Sequence, residues 1–168
     1  MAHHTFIDYM GTPISGWIVP QQQYSSGSGR FQPRPSIKFS DDGRWGMKLK
    51  RALDMDFRGM PDSAAQAVLS ETGTKVAIRI LWPGYLPWTQ HMHAFDHTNA
   101  RQPITKSRLA YDIARLVKLF YDDMQHAQSS EASADWWVSR MRFEDLILLE
   151  LRNVSAGSWQ PVLCLAPR

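Results

Sequence analysis

The chain has 168 residues, 43% apolar and 21% charged, with seven Trp and seven Phe. This length suits one hydrophobic core rather than two, and the composition excludes a wholly disordered chain. The net charge is +3, and no stretch approaches the roughly 20 apolar residues that span a bilayer, so we expect no membrane insertion.

Residues 1–35 are predicted to be an N-terminal segment followed by a flexible linker. The N-terminus lacks a basic start followed by an apolar run of secretory length, which predicts an intracellular protein of the cytoplasm or nucleus. Residues 20–36 are rich in Gln, Ser, Gly and Pro, a composition that offers little burial to offset the entropy of ordering. Residues 36–168 are then predicted to form a single domain.

Two-residue alternation begins at Ser36. The sequence "DDG" at 41–43 signals a turn between two strands, which predicts a β-hairpin. In the second strand, "RWGMKLKRALD", the residues predicted to share the buried face are Trp45, Met47 and Leu49. Lys48 and Lys50 would then emerge together on the solvent face.

Positive charge is concentrated in this hairpin. Residues 30–51 contain seven basic and two acidic residues, a net charge of +5. If the next strand pairs nearby, the cations predicted to form one face are Arg44, Lys48, Lys50 and Arg79. Such a face could bind nucleic acid or another polyanion through its phosphates. The alternative is that these cations only keep a wet sheet face soluble and protect its edge.

A short helix is predicted between residues 60 and 74, with Asp62 or Ser63 as N-cap and Gly73 after its end. The strand "KVAIRILW" follows, with Val76, Ile78 and Ile80 on one face.

The strand must end after Trp82, because Pro83 lacks an N–H group for the ladder and Gly84 permits a sharp turn. We interpret "WPGY" as a structural corner with aromatic residues packed around it, in preference to a ligand-stacking pocket.

Aromatic residues that do not fit in the core would be anchors for a protein partner. The candidates are Trp82, Tyr85, Trp88 and Trp159.

Three histidines follow within seven positions. His91 and His93 would share one face of a strand, and a turn could bring Asp96 or His97 round to complete an open zinc site of the hydrolytic kind. The spacing is not diagnostic, because neither an HExxH motif nor paired cysteines accompany it. Otherwise the sequence predicts no cofactor.

The strongest helix is predicted over residues 106–125, where apolar residues recur at helical spacing. Thr105 is the expected N-cap, and Arg108, Asp112 and Arg115 are expected on the solvent face.

A short buried piece, predicted to be helical, follows around Trp136. The end of the chain predicts a hairpin around "NVSAGSW", although residues 143–151 alone could be a helix. Strands, one long helix and further strands predict an α+β domain: an antiparallel sheet covered on one face by the helix.

Catalytic signatures are weak. Cys164 is the only cysteine, so no internal disulfide can form, and its apolar surroundings favour a buried thiol over a nucleophile. The sequence contains no Gly-x-Ser-x-Gly motif, and we predict no catalytic residue.

Three motifs, "RILWPGYLPW" at 79–88, "PITKSRLAYDIARLVKLFYD" at 103–122 and "VSAGSWQP" at 154–161, resemble a family of uncharacterised intracellular proteins from mushroom-forming fungi. The resemblance covers about residues 36–166. It implies a fungal source and an intracellular location, and it assigns no activity or catalytic residue.

The sequence therefore favours a non-enzymatic intracellular binding module that presents an aromatic and basic surface, with a protein as the favoured partner and a homodimer as one possible state. The alternatives are nucleic-acid or polyanion binding through the basic strand, and a zinc-dependent enzyme that uses the histidine cluster.

Overall fold

The computed structural model of the chain describes residues 4–7, 13–27 and 29–167. Eight of the described strands form one mostly antiparallel sheet, and a long helix packs against one of its faces, which confirms the predicted α+β class. The strands are β1 (His4–Ile7), β2 (Pro13–Ile18), β3 (Ile37–Lys38), β4 (Ser40–Asp41), β5 (Arg44–Trp45), β6 (Met47–Lys48), β7 (Lys75–Ile80), β8 (Trp88–His93), β9 (Leu146–Ser155) and β10 (Ser158–Leu165). The α-helices are α1 (Leu49–Leu53) and α2 (Lys106–Met124), and 3-10 helices cover Glu131–Trp136, Val138–Arg140 and Phe143–Asp145.

Strand β10 lies in the middle of the sheet. One of its edges pairs with β9 in the predicted C-terminal hairpin. Its other edge pairs first with β7, in parallel, and then with β2, antiparallel. Beyond these neighbours, β8 flanks β7, β1 flanks β2, and both β3 and β6 pair with β9. Strands β4 and β5 form a separate two-stranded hairpin.

Helix α2 covers the inner face of the sheet. The Oγ1 atom of Thr105 accepts a hydrogen bond from the Arg108 backbone N–H, as expected of an N-cap. The apolar stripe of the helix, from Leu109 to Phe120, is buried in the same core as the inward side chains of β7 and β10. In the part of the chain that the structure describes, no helix combines the length and hydrophobicity needed to cross a bilayer.

The predicted hairpin forms, but its second strand is short. Asp42 and Gly43 both have positive φ, 51° and 75°, which suits a tight turn of type I′ between β4 and β5. The strand ends at Lys48 because α1 begins at Leu49, so Lys50 lies on a helix, where its ammonium bonds Asp54 one turn later at 2.6 Å. The prediction that Lys48 and Lys50 extend from one strand is therefore wrong.

The predicted helix between residues 60 and 74 is also absent, since this described segment forms turns. Its carbonyl groups serve another element: Ser63 accepts the backbone N–H of Ser107, and Ala65 accepts that of Lys106. These bonds satisfy the first N–H groups of α2, which have no partner within the helix. Tertiary pairing thus outweighs the local helical pattern.

The segment predicted to be a flexible linker bonds β9 and β10 on both sides of residue 28. We call residues 20–27 and 29–34 the strap. The Gln21 side chain bonds the carbonyl of Pro161 at 2.7 Å, the Tyr24 N–H donates to Gln160 Oε1 at 3.0 Å, and the Arg34 N–H donates to Asn153 Oδ1 at 3.0 Å. The composition of the strap did not reveal these contacts, because each partner lies more than 100 residues away.

Candidate functional site

The corner between β7 and β8 is braced by the segment that carries the 3-10 helices. Trp82 is buried, and its indole N–H donates to the Trp136 carbonyl at 2.8 Å. Gly84 turns with a φ of 86°, and its carbonyl accepts the Ser130 N–H at 3.2 Å. The Tyr85 hydroxyl accepts the Val138 N–H at 3.0 Å. These bonds support the interpretation of the corner as structural.

Two of the four aromatic residues predicted to contact a partner are unsuited to that role. Trp82 and Trp159 are 3% and 0% exposed, and the Trp159 indole N–H bonds the Leu69 carbonyl inside the core. They present almost no surface to another molecule, so their assignment as anchors is wrong. Tyr85 and Trp88 are half-buried and pack on Phe120, with ring centroids 6.4 and 5.8 Å from it.

The corner also exposes apolar residues that the sequence did not single out. Leu86 is 84% exposed, and Leu119 on α2 is 44% exposed. The Trp88 indole N–H bonds Asp123 at 3.3 Å, and Leu119 lies one helical turn before Asp123 on α2. We call this surface the corner patch; it consists of the exposed Leu86, Pro87 and Leu119 and the half-buried Tyr85 and Trp88.

Charged residues of both signs lie near the corner patch, and the exposed Arg115 is one helical turn before Leu119. Asp123 lies at its edge through the bond to Trp88, and Glu131 follows Ser130, which bonds Gly84. Among the described residues neither carboxylate forms an ion pair.

The four cations predicted to form a polyanion-binding face are dispersed. Arg44 and Lys48 line one cavity beside β9, whereas Lys50 is on α1. Strand β6 pairs with β9, so Arg79 on β7 is three strand spacings away, about 14 Å. Its guanidinium lies 3.8 Å from the centroid of the Tyr24 ring, under the strap. The predicted continuous face does not form.

Carboxylates further reduce the positive charge near the hairpin. Arg51 bonds Asp41, Asp42 and Asp56. Burial raises the pKa of Asp41, although the Arg51 guanidinium opposes that shift. The side-chain hydrogen bond from Arg58 lowers the pKa of Asp56. The basic charge that the sequence predicts at residues 30–51 is partly neutralised by local ion pairs.

The histidine cluster converges only in part. His91 and His93 are exposed on β8, where they precede and follow the buried Met92 in the sequence. The centroids of the His93 and His97 rings lie 5.1 Å apart. Asp96 Oδ1 accepts the backbone N–H groups of Thr98 and Gln102, so it closes the loop. Within the described residues, no group of three or more His, Cys, Asp or Glu side chains is placed to hold a metal ion.

His93 and His97 instead border a cleft of about 290 Å³ at the start of α2. Its floor is apolar, and its wall carries an ion pair between Arg108 and Asp112, in which Arg108 Nε donates to Asp112 Oδ2 at 2.9 Å. The remaining lining residues are Phe95, Asp96, Pro103, Ile104 and Thr105.

Asp112 was expected on the solvent face, but its side chain is only 8% exposed. Its position one residue before Ile113, beside the apolar stripe, is the sequence signal that could have revealed this burial. Burying a carboxylate is costly unless a partner compensates its charge, so the Arg108–Asp112 pair marks a candidate site.

Comparison of the chain with protein-family models, curated proteins and solved structures found no match. The resemblance to the fungal family therefore stays a prediction. The candidate sites rest on their own geometry.

Proposed function

We propose that this protein is a non-enzymatic binding module that recognises another protein through the corner patch. The observation that carries the proposal is Leu86, which is 84% exposed on a loop braced by hydrogen bonds at Trp82, Gly84 and Tyr85. A large apolar side chain on a rigid loop can bury its area against a partner with little loss of conformational entropy.

The charge around the corner patch indicates the chemistry of the partner. Asp123 contacts Trp88 and forms no ion pair among the described residues, and Glu131 follows the residue that bonds Gly84, which favours a partner with a Lys or Arg beside its apolar anchor. In a two-fold pairing, the second copy would bring its own Asp123 and Glu131 to the interface, so it would add as much negative charge as the first copy. We therefore propose a different protein as partner, rather than a second copy.

Replacing Leu86 tests the proposal. The full chain, as wild type and as Leu86→Ser, is used to capture proteins from its native cells, and the dissociation constant of each purified captured protein is then measured. A central apolar anchor typically contributes about 2 kcal/mol, so we expect Leu86→Ser to weaken binding by about 30-fold. Leu119→Ser should weaken it by a smaller factor.

Val68→Ser is the matched control, since Val68 is an exposed apolar residue outside the corner patch. Val68→Ser should bind like the wild type. Equal affinities for the wild type and Leu86→Ser would refute the corner patch as the binding surface. A wild-type homodimer that Leu86→Ser dissociates would show that the partner is a second copy, contrary to the proposal.

A further inference from the structure

The cleft beside α2 places opposite charges next to each other, with free hydrogen-bonding atoms on both. Asp112 uses Oδ2 to bind Arg108, and its other oxygen, Oδ1, has no partner among the described residues and is not sealed from solvent. Arg108 donates through Nε, and its two terminal nitrogens have no hydrogen-bond partner in the described chain. The ion pair thus offers one anionic acceptor and one cationic donor, while the other carboxylate that lines the cleft, Asp96, uses Oδ1 to close its own loop.

This arrangement disfavours ligands that carry a single charge. A simple anion at Arg108 would lie close to the Asp112 carboxylate, and a simple cation at Asp112 would lie close to the Arg108 guanidinium. The N-terminus of α2 adds no further anion site, because the N–H groups of Lys106, Ser107 and Arg108 are already bonded to Ala65, Ser63 and Thr105. A ligand that carries both charges a few ångströms apart complements the pair.

The rest of the cleft suits an apolar group. Phe95, Pro103 and Ile104 provide apolar surface, and the cleft volume of about 290 Å³ accommodates one small molecule. His93 and His97 border the opening, and their rings contact each other while their nitrogens have no hydrogen-bond partner among the described residues. Apolar surface with a few convergent polar groups is the usual character of a small-molecule site.

We propose that this cleft binds a free α-amino acid with an apolar side chain. The ammonium group of the ligand bonds Asp112 Oδ1, and its carboxylate bonds the terminal nitrogens of Arg108, since guanidinium groups bind carboxylates with two donors. The ligand side chain packs against Phe95, Pro103 and Ile104. Asp112 has two roles here, because it also holds Arg108 in position through Nε.

Titration of the full-length protein with L-leucine and L-phenylalanine, followed by backbone amide NMR, tests the inference. We expect saturable shifts at residues 93–112 with millimolar or tighter dissociation constants. Two analogues separate the charges: 4-methylpentanoate lacks the ammonium and leucinamide lacks the carboxylate. Since one charge-assisted hydrogen bond contributes about 1.5–3 kcal/mol, each analogue should bind at least about tenfold more weakly than leucine.

Variants assign the contacts. Arg108→Gln should weaken leucine binding by at least about tenfold, and Asp112→Asn should do the same. Arg115→Gln, an exposed substitution on the same helix, should bind like the wild type. If Asp112→Asn lowers the melting temperature substantially, the result for Arg108→Gln alone tests the inference. The Arg108 side chain is 54% exposed, so its replacement should not unfold the protein.

Three results would overturn the inference. The first is the absence of shifts with either amino acid at about 10 mM, well above a millimolar dissociation constant. The second is leucine binding that Arg108→Gln leaves unchanged. Equal binding of leucine and 4-methylpentanoate would also reject the amino acid, since the ammonium contact with Asp112 would then contribute nothing. None of these results depends on the corner patch, which lies outside the cleft.

Discussion

Gly46 decides which way the side chains around it point. Its φ is 93°, a conformation that residues with a Cβ atom rarely adopt. Trp45, just before it, packs with Leu149 on the outer face of the sheet, whereas Met47, just after it, is buried in the main core. The predicted two-residue alternation placed Trp45 and Met47 on one face of the strand. That prediction was wrong, because the positive φ of Gly46 interrupts the alternation of side chains between the two faces.

We expect Gly46→Ala to destabilise the protein by about 3 kcal/mol. The new Cβ atom would lie 2.6 Å from Ile147 Cγ2 and 2.8 Å from Leu149 Cδ2. The overpacking adds to the cost of the left-handed conformation. Urea unfolding measures the change in free energy.

Gly157→Ala is the control, because its added Cβ meets nothing within 4 Å and the residue is not in the left-handed region. It should change stability by less than about 1 kcal/mol. Similar losses in both variants would show that Gly46 is not constrained as its contacts indicate.

Helix α2 separates a structural face from an exposed one. Ile113 is completely buried in the main core, whereas Leu119, on the same helix, belongs to the corner patch. Ile113→Ala should lower the free energy of unfolding by about 2–5 kcal/mol, because it leaves a cavity between helix and sheet.

Leu119→Ala should change stability by less than about 0.5 kcal/mol, since most exposed substitutions are close to neutral. Denaturant titration of both variants compares the two faces directly. A loss at Leu119 as large as that at Ile113 would mean that Leu119 supports the fold and is not available to a partner.

The sequence predicted α2 well because helical periodicity is local, and the apolar stripe from Leu109 to Phe120 specifies both the helix and its buried face. It predicted the segment at 60–74 poorly because the bonds of Ser63 and Ala65 go to α2, more than 40 residues away. Asp112 was misplaced for a related reason: its burial depends on the packing around the cleft, which local charge spacing does not reveal.

The candidate sites were also predicted only as far as local sequence signals allow. The "WPGY" motif located the corner, and the histidine motif located one wall of the cleft. Neither motif indicated that Leu86 would be exposed or that Arg108 and Asp112 would join the cleft, because both facts arise when distant segments pack together. The sequence motifs therefore predicted which segments contain the candidate sites. Only the structure shows which residues of those segments are exposed or line the cleft.

The stability of the whole molecule should depend on alkaline pH through Cys164. Burial raises the pKa of this thiol to about 11. In the unfolded chain a cysteine titrates near pH 8.5, so the folded state keeps the proton to higher pH. The stabilisation is complete below about pH 8.5 and is lost as the pH rises towards 11, with a total of about 3 kcal/mol.

Cys164→Ala isolates this contribution, because the variant keeps every other titrating group. We expect the free energy of unfolding of the wild type to fall more steeply than that of Cys164→Ala between about pH 8.5 and 11. Parallel curves for the two proteins would show that Cys164 ionises normally in the folded state.

The position of β10 has a consequence for biosynthesis. Its partners β2, β7 and β9 all precede it in the chain, and β2 lies more than 140 residues earlier. A ribosome therefore releases every neighbouring strand before the strand that joins them. Until residues 158–165 emerge, the edges of β7 and β9 that face β10 lack their partner, and unpaired strand edges of this kind are the sites at which nascent chains pair with other chains.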